Sequence, residues 1–423
     1  MSQYIQSVRG MNDILPGESE LWELFEETVR SWLKSYGYKP IRLPIVEPTP
    51  LFKRAIGEVT DIVEKEMYSF TDSLNGELLT LRPEGTAGCV RALIQHKLAA
   101  QHPQRLYYMG QMFRHERPQK GRYRQFNQVG VEAFGFAGPD IDAELILMGA
   151  RLWDDLGLED VKLQLNSLGQ LDERAKHRAE LIAYFKKYSD LLDEDARRRL
   201  HSNPLRILDS KNPTMQEMIG GAPKLMDHLG AESMAHFEGV QQVLRDAGLP
   251  FEINPRLVRG LDYYTKTAFE IKYAPLGAQS AVAGGGRYDG LIEEIGGKPT
   301  PAVGFATGLE RVLLALEKQG LIPEQPKKTD AFVVALGEAA KAPAFTLLTK
   351  LRRAGLKASM DYAGRSMKAQ MKQANKAHAR FALIIGEDEV KESCVMLKDM
   401  EKSEQQKVSF DAIIEKLCAE VKG

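Results

Sequence analysis

Cysteine is almost missing from this 423-residue chain: there are three, Cys89, Cys394 and Cys418, and no C-x-x-C pair. A disulfide framework and a cysteine zinc site are therefore unsupported. No H-E-x-x-H occurs and the eight histidines are dispersed, so no metal pattern is present. Neither a G-x-S-x-G elbow nor a G-x-x-x-x-G-K-[ST] phosphate loop is found. Apolar runs stay well short of the roughly 18–20 residues that span a membrane. The start, "MSQYIQSVRGMNDILP", lacks the basic and apolar regions of a secretory leader. The expectation is a cytoplasmic protein without membrane contact. A net charge of −1 argues against indiscriminate binding of nucleic acid.

What is present is an ordinary globular composition, 43% hydrophobic and 27% charged, long enough for two or three domains. The charge is unevenly spread. From Lys327 onward there are 18 Lys+Arg against 13 Asp+Glu, while the preceding residues carry 39 against 45. A basic C-terminal domain on a mildly acidic body suits a polyanionic partner at that end.

Apolar residues in "SELWELFEETVRSWLKSY" (19–36) recur at helical spacing, and Gly37 stops the pattern. "YKPIRLPIVEPTPLF", with four prolines, reads as extended throughout. Strands are expected at Leu78–Leu81, Leu106–Phe113, Arg124–Ala133, Leu163–Leu165, Pro255–Tyr264 and Thr267–Tyr273, with a helix from Thr86. Residues 171–247 are helical without strands and read as an insertion in a mixed, largely antiparallel sheet. "EKQGLIPEQPKKTD" (317–330) reads as a linker, and beyond it strands and helices alternate as in a small α/β domain.

The stretch "FRHERPQKGRYRQFNQVGVEAFG" (113–135) is unusual: five cations and one acid occupy its first fourteen residues. In the following strand, alternation puts Phe126, Gln128, Gly130 and Glu132 on one face and Asn127, Val129, Val131 and Ala133 on the other. The second face suits a core. The first suits a ligand. Arg114 and Glu116 share a face on the incoming strand, and Arg117, Lys120 and Arg122 surround Gly121, a set that fits phosphate groups or a solvated hairpin tip.

Other segments add candidates. In "LTLRPEGTAG", Glu84 and Thr86 fall at a helix N-terminus; Thr86 reads as an N-cap, and Glu84 could receive an ammonium group. In "RLVRGLDYYTKTAFE", Arg259 is either an ion-pair partner of Asp262 or a fixed cation for a reacting phosphate. "AGGGRYDGL" is not a dinucleotide fingerprint, but its glycines beside Arg287 permit close backbone approach to a ligand. "PAVGFATGLERVLLAL" runs from strand through a glycine turn into a helix, with Arg311 in the first turn, where a cation is tolerable if it faces an anion. Lys368, Lys372, Lys376 and Arg380 recur every four residues as one helical stripe, either a solvated face or a nucleic-acid contact.

These segments, in this order, resemble the class II aminoacyl-tRNA synthetases, and within them the bacterial histidyl-tRNA synthetase family. The first helix with its proline-rich sequel is similar to a dimer-forming motif, "FRHERPQKGRYRQFNQVGVEAFG" to the second class motif and "PAVGFATGLERVLLAL" to the third. "RLVRGLDYY" and "GGGRYDGL" resemble the two stretches that mark the histidine enzymes. The resemblance implies an α+β fold: an antiparallel-sheet catalytic domain over 1–325, with a helical insertion at about 171–247, and an α/β anticodon-binding domain over 329–423. It implies that Glu84, Thr86 and Gln128 hold the α-amino group of L-histidine, that Glu132 and Tyr264 bind its imidazole nitrogens, and that Tyr263 lines the pocket. Arg114 would hold the α-phosphate and carboxylate, Phe126 and Arg311 would sandwich adenine, Glu116 would lie near the adenine amino group and Arg122 near the γ-phosphate. Arg259 would be the catalytic cation, with both arginines touching histidine and ATP. Gln119 and Lys120 would touch the tRNA acceptor end. The implied enzyme is a homodimeric ligase of protein biosynthesis that uses ATP, with Mg2+, to join histidine to its tRNA. A non-catalytic paralogue, a regulatory subunit of ATP phosphoribosyltransferase, lacks the anticodon domain and parts of the histidine motifs, both of which are intact here.

Overall fold

The computed structural model describes residues 4–57, 60–322 and 329–422. Two compact units divide the chain, Met1–Ile322 and Pro323–Gly423.

In the first unit, helix α1 (Glu18–Ser35) buries Trp22, Phe25, Val29, Trp32 and Leu33, the one-sided face its spacing predicts, and Gly37 turns the chain away at φ +76°. β1 (Lys39–Pro40) and β2 (Val46–Pro48) follow, then α2 (Thr49–Ile56). The sequence predicts only extended chain here. The helix forms because Pro50 falls in its first turn, where a missing N–H costs nothing. β3 (Tyr68–Thr71), β4 (Leu78–Leu81), α3 (Thr86–Gln95), β5 (Gln104–Phe113) and β6 (Gln125–Phe134) come next. Then follow α4 (Pro139–Asp155), β7 (Val161–Ser167), α5 (Leu171–Lys186), α6 (Glu194–Ser202), α7 (Gln216–Gly220) and α8 (Ala231–Asp246). β8 (Glu252–Ile253), β9 (Thr265–Tyr273), β10 (Ala281–Arg287), α9 (Leu291–Glu294), β11 (Ala302–Gly308) and α10 (Leu309–Gln319) complete the unit.

Eight of these strands form one sheet in the order β1-β5-β6-β11-β10-β9-β7-β8, antiparallel except at its two ends, where β1 runs parallel to β5 and β8 to β7. β2, β4 and β3 make a separate small sheet. On one side of the large sheet Val129, Val131 and Ala133 join Trp32, Ile146, Trp153, Phe269 and Phe305 in the main core. α8 belongs to that core through Phe237, Val240 and Leu244, whereas α5, α6 and the turns after them enclose a small core of their own around Leu181, Phe185 and Met215.

Pro255–Tyr264 is not a strand. Its carbonyls are met by side chains instead of a neighbouring ladder: Asn166 Nδ2 donates to Leu257 O, Arg206 to Gly260 O and Arg174 to Tyr264 O. The irregular backbone lets Arg259, Tyr263 and Tyr264 converge, which an alternating strand would forbid.

The expected linker is shorter than 317–330. α10 runs to Gln319 and ends at Gly320 with φ +70°, and a strand begins at Thr329; residues 323–328 lie outside the described ones. The second unit contains β12 (Thr329–Ala335), α11 (Glu338–Arg353), β13 (Ala358–Met360), α12 (Met367–Lys376), β14 (Ala379–Ile385), α13 (Glu387–Lys391), β15 (Cys394–Asp399), β16 (Gln405–Ser409) and α14 (Ile413–Lys422). Its sheet order is β13-β12-β14-β15-β16, with the first three strands parallel. Alternation is legible within β12: Ala331 and Val333 pack with α11, Phe332 and Val334 with α12. The basic stripe is one residue shorter than its spacing suggests. α12 ends at Lys376, the chain turns through His378 at φ +47°, and Arg380 sits on β14, bonded to the Glu420 carbonyl.

Candidate active site

The face of β6 opposite the core opens onto two adjoining regions. Its inner end is a buried, hydroxyl-lined pocket around Glu132. One Glu132 oxygen accepts from Thr86 Oγ1 at 2.7 Å and from Tyr108 Oη at 3.1 Å; the other accepts a short bond from Tyr288 Oη. Burial pushes the Glu132 carboxyl up to about 8, although the bonds from Tyr288, Thr86 and Tyr108 pull the other way. Tyr263, Tyr264 and Tyr288 pack ring against ring at centroid distances of 4.6, 5.5 and 6.4 Å, and burial raises all three phenols.

Glycines make this pocket possible. β11 places Gly304 opposite Glu132, where a Cβ would lie 1.8 Å from the carboxylate. On β10, a Cβ at Gly284 would meet the Arg259 guanidinium at 2.6 Å. The glycine run therefore makes room for the Arg259 side chain. Its neighbour Arg287 is fully buried and serves the scaffold, paired with Asp142 and bonded to the carbonyls of Phe136 and Gly138.

At Glu84 and Thr86 it is the capping role that departs from the sequence reading. Thr86 is the first residue of α3 rather than its cap, and its hydroxyl turns to Glu132. The Glu84 carboxylate instead accepts the free N–H groups of Thr86 (2.6 Å) and Ala87 (2.9 Å). Burial raises its pKa while those two bonds lower it. The net direction is upward.

The outer region is an open cleft lined by Arg114, Glu116, Arg122, Phe126, Gln128, Arg259, Glu270 and Arg311. Arg114 and Glu116 lie just past the end of β5, in the loop, with Arg114 Nε bonded to Pro83 O and its guanidinium 5.3 Å from the Phe126 ring centre. Arg122 pairs with Glu116 at 3.1 Å. Arg259 does not pair with Asp262, which takes a bond from Asn203; its partner is Glu270 at 2.8 Å, and its guanidinium lies over Tyr264. Arg311 has its pKa pushed down to about 10, first by burial and then by neighbouring Arg122. Inside the cleft the Nε groups of both Arg259 and Arg311 lack a partner among the described residues. Four guanidiniums and the Phe126 ring lining one cleft suit an anion and a stacked base.

Gln119 and Lys120 stand apart, exposed at a tight turn in which Gln119 and Arg122 exchange backbone bonds and Gly121 takes φ +78°. Lys120 reaches Glu317 at 3.5 Å. Among the described residues no three His, Cys, Asp or Glu side chains converge on a metal-sized position.

Sequence reasoning misses Tyr108, Tyr288 and Glu270. Tyr288 lies inside the stretch "GGGRYDGL", where nothing local marks it out from its neighbours. Tyr108 and Glu270 leave no local signal, because their partners arrive from other strands.

Comparison with known proteins gives consistent results. The family model described as "Histidyl-tRNA synthetase" matches residues 10–312, and one described as "Anticodon binding domain" matches 330–420. A histidine–tRNA ligase of Dechloromonas aromatica is 65% identical over 423 residues, covering 100% of this chain and 98% of the relative. One from Aromatoleum aromaticum is 62% identical, with 98% and 94% covered. Among solved structures, the apo histidyl-tRNA synthetase of S. aureus superposes with a TM-score of 0.84 at 39% identity, covering 98% of this chain and 100% of that one.

Proposed function

The chain belongs to the histidyl-tRNA synthetase family, and we infer from its pocket how its own side chains carry that family's reaction. It activates L-histidine with ATP and passes the histidyl group to the 3′ end of tRNA. In the first step a carboxylate oxygen of histidine attacks the α-phosphorus, the bond to the β-phosphate oxygen breaks, and pyrophosphate leaves. In the second, a hydroxyl of the terminal adenosine takes the histidyl group and AMP departs.

The observation that carries this reading is the adjacency of the two regions along a single strand. Gln128 lines the arginine cleft and Glu132, four residues on, anchors the hydroxyl pocket. A ring nitrogen bonded at Glu132 and a nucleotide stacked at Phe126 would bring carboxylate and α-phosphate together between them. Tyr264 would meet the second ring nitrogen and Tyr263 would close the wall. Glu84, Thr86 and Gln128 would receive the α-amino group; the buried negative charge of Glu84 is the feature that suits an ammonium ion. Selecting both ends of a polar ring rejects apolar analogues by roughly 10⁴–10⁵-fold without editing.

In the cleft, Arg114 would hold the carboxylate and α-phosphate in line, and Arg311 would close on adenine against Phe126. Glu116 would reach the adenine amino group and Arg122 the γ-phosphate. Arg259 would exchange Glu270 for the α-phosphate as charge builds there, a stabilisation that needs no covalent nucleophile. Glu116, Glu270 and Glu310 are carboxylates of the cleft that would help hold a phosphate-bound Mg2+, which when bound would offset phosphate charge.

The catalytic domain would span 1–325 with its insertion at 171–247, and 329–423 would meet the anticodon. Gln119 and Lys120 would contact the acceptor end. A homodimer in the cytoplasm is part of the same proposal. The regulatory-subunit reading is not favoured, because the anticodon-binding match is present and the 65%-identical relative is a ligase. Charging of tRNA with labelled histidine tests the transfer step. Label on the tRNA supports it; adenylate formed without any charging would overturn it. Sedimentation at twice the chain mass is expected, and a monomer under charging conditions would contradict the dimer.

A further inference from the structure

Glu132 is held in one orientation by hydroxyls that arrive from separate elements of the fold. Tyr108 lies on β5 directly across from Gly130 on β6. A Cβ at Gly130 would lie 2.0 Å from the Tyr108 ring, and a Cβ at Gly85, on a different segment, 2.1 Å from it. Two glycines from separate elements thus vacate one slot, and the ring in it delivers its hydroxyl to Glu132 at 3.1 Å. From the opposite side Tyr288 delivers its hydroxyl to the other oxygen. Both phenols are buried, so neither hydroxyl reaches bulk water.

We propose that Tyr108 and Tyr288 are positioning residues that clamp Glu132 and so set the enzyme's discrimination for imidazole; this rests on Glu132 being the imidazole anchor. A carboxylate offers about four lone-pair positions. Thr86, Tyr108 and Tyr288 occupy three of them. One position remains, and a neutral imidazole has one N–H to fill it. An amide or ammonium side chain brings more donors than the clamped carboxylate can accept. Without the clamp the carboxylate could rotate to meet them.

The test uses full-length Tyr108→Phe and Tyr288→Phe in histidine-dependent ATP–pyrophosphate exchange, alone and combined with Glu132→Ala. Phenylalanine keeps the ring in its slot, and thermal unfolding checks that the fold is kept. Each single variant is expected to raise the histidine KM about tenfold, the cost of one lost bond to a charged group. The KM for ATP stays within about twofold of wild type by the same reasoning, since neither tyrosine lines the cleft. The acidic limb of the kcat/KM profile moves to higher pH, because both hydroxyls hold the Glu132 carboxyl down. In the Glu132→Ala background the tyrosine changes add nothing. Folded variants with unchanged histidine KM and an unmoved limb would overturn the clamp, as would an equal loss in the Glu132→Ala background. If Glu132→Ala itself matches wild type, the imidazole anchor is overturned and the clamp falls with it.

Discussion

The two halves of the site are built on opposite principles. Around Glu132 every oxygen is already bonded, the rings interlock and exposure is close to zero. Around Arg259 and Arg311 the charges line a cleft, the two buried Nε groups lack partners among the described residues, and the ion pairs are ones a ligand can replace. The first half suits recognition; the second gathers positive charge that suits phosphates. A change in the outer half should therefore fall on kcat and a change in the inner half on selection of histidine.

The largest effect expected is from Arg259→Ala. Removing the cation proposed to meet the α-phosphate should cut adenylate formation by about 10²–10³-fold with the fold intact. Turnover near the wild-type level would remove Arg259 from that role and erase the proposed division. Next is Glu132→Ala, which should lower kcat/KM for histidine by about 10²-fold, as expected when bonds to a charged group are lost. Its KM for ATP should hold. A matching rise in the KM for ATP would mean that the two halves are not separate.

A smaller effect follows from proton binding. With Glu132 raised to about 8, the empty pocket carries a neutral acid below that pH and an accepting carboxylate above it. Use of histidine should therefore rise with pH through a limb near that value, and Glu132→Gln should flatten the limb. A limb that persists in Glu132→Gln belongs to another group. The smallest effect is expected in the second unit. Charge reversal at Lys372 and Lys376, both exposed on α12, should raise the tRNA KM and change its salt dependence if they meet phosphates. If neither moves, the stripe is only a solvated face. In either case amino-acid activation without tRNA should stay unchanged.

The same contrast explains what was legible in the sequence. Period-two alternation separates the core face of β6 from its ligand face, and all three of Val129, Val131 and Ala133 are fully buried in the core. That pattern is local, so it can be read from one strand. Tyr107 and Tyr108 are indistinguishable in "RLYYMGQMF"; only register decides, setting Tyr107 against Val131 in the core and Tyr108 against Gly130 in the site. Arg259 offers two readings from spacing, and its partner turns out to be a third group, Glu270, brought alongside by an irregular loop. The basic stripe runs one residue too far, since helical spacing does not reveal the turn at His378. Motifs and periodicities show which residues matter. Partnerships between strands appear only with the fold.

The most direct test of the central claim is ATP–pyrophosphate exchange with each amino acid supplied singly and no tRNA. Exchange with histidine alone is the expected result if, as proposed, the hydroxyl pocket around Glu132 selects the amino acid that the arginine cleft activates. Exchange with a different amino acid, or none with any from folded protein, would contradict it.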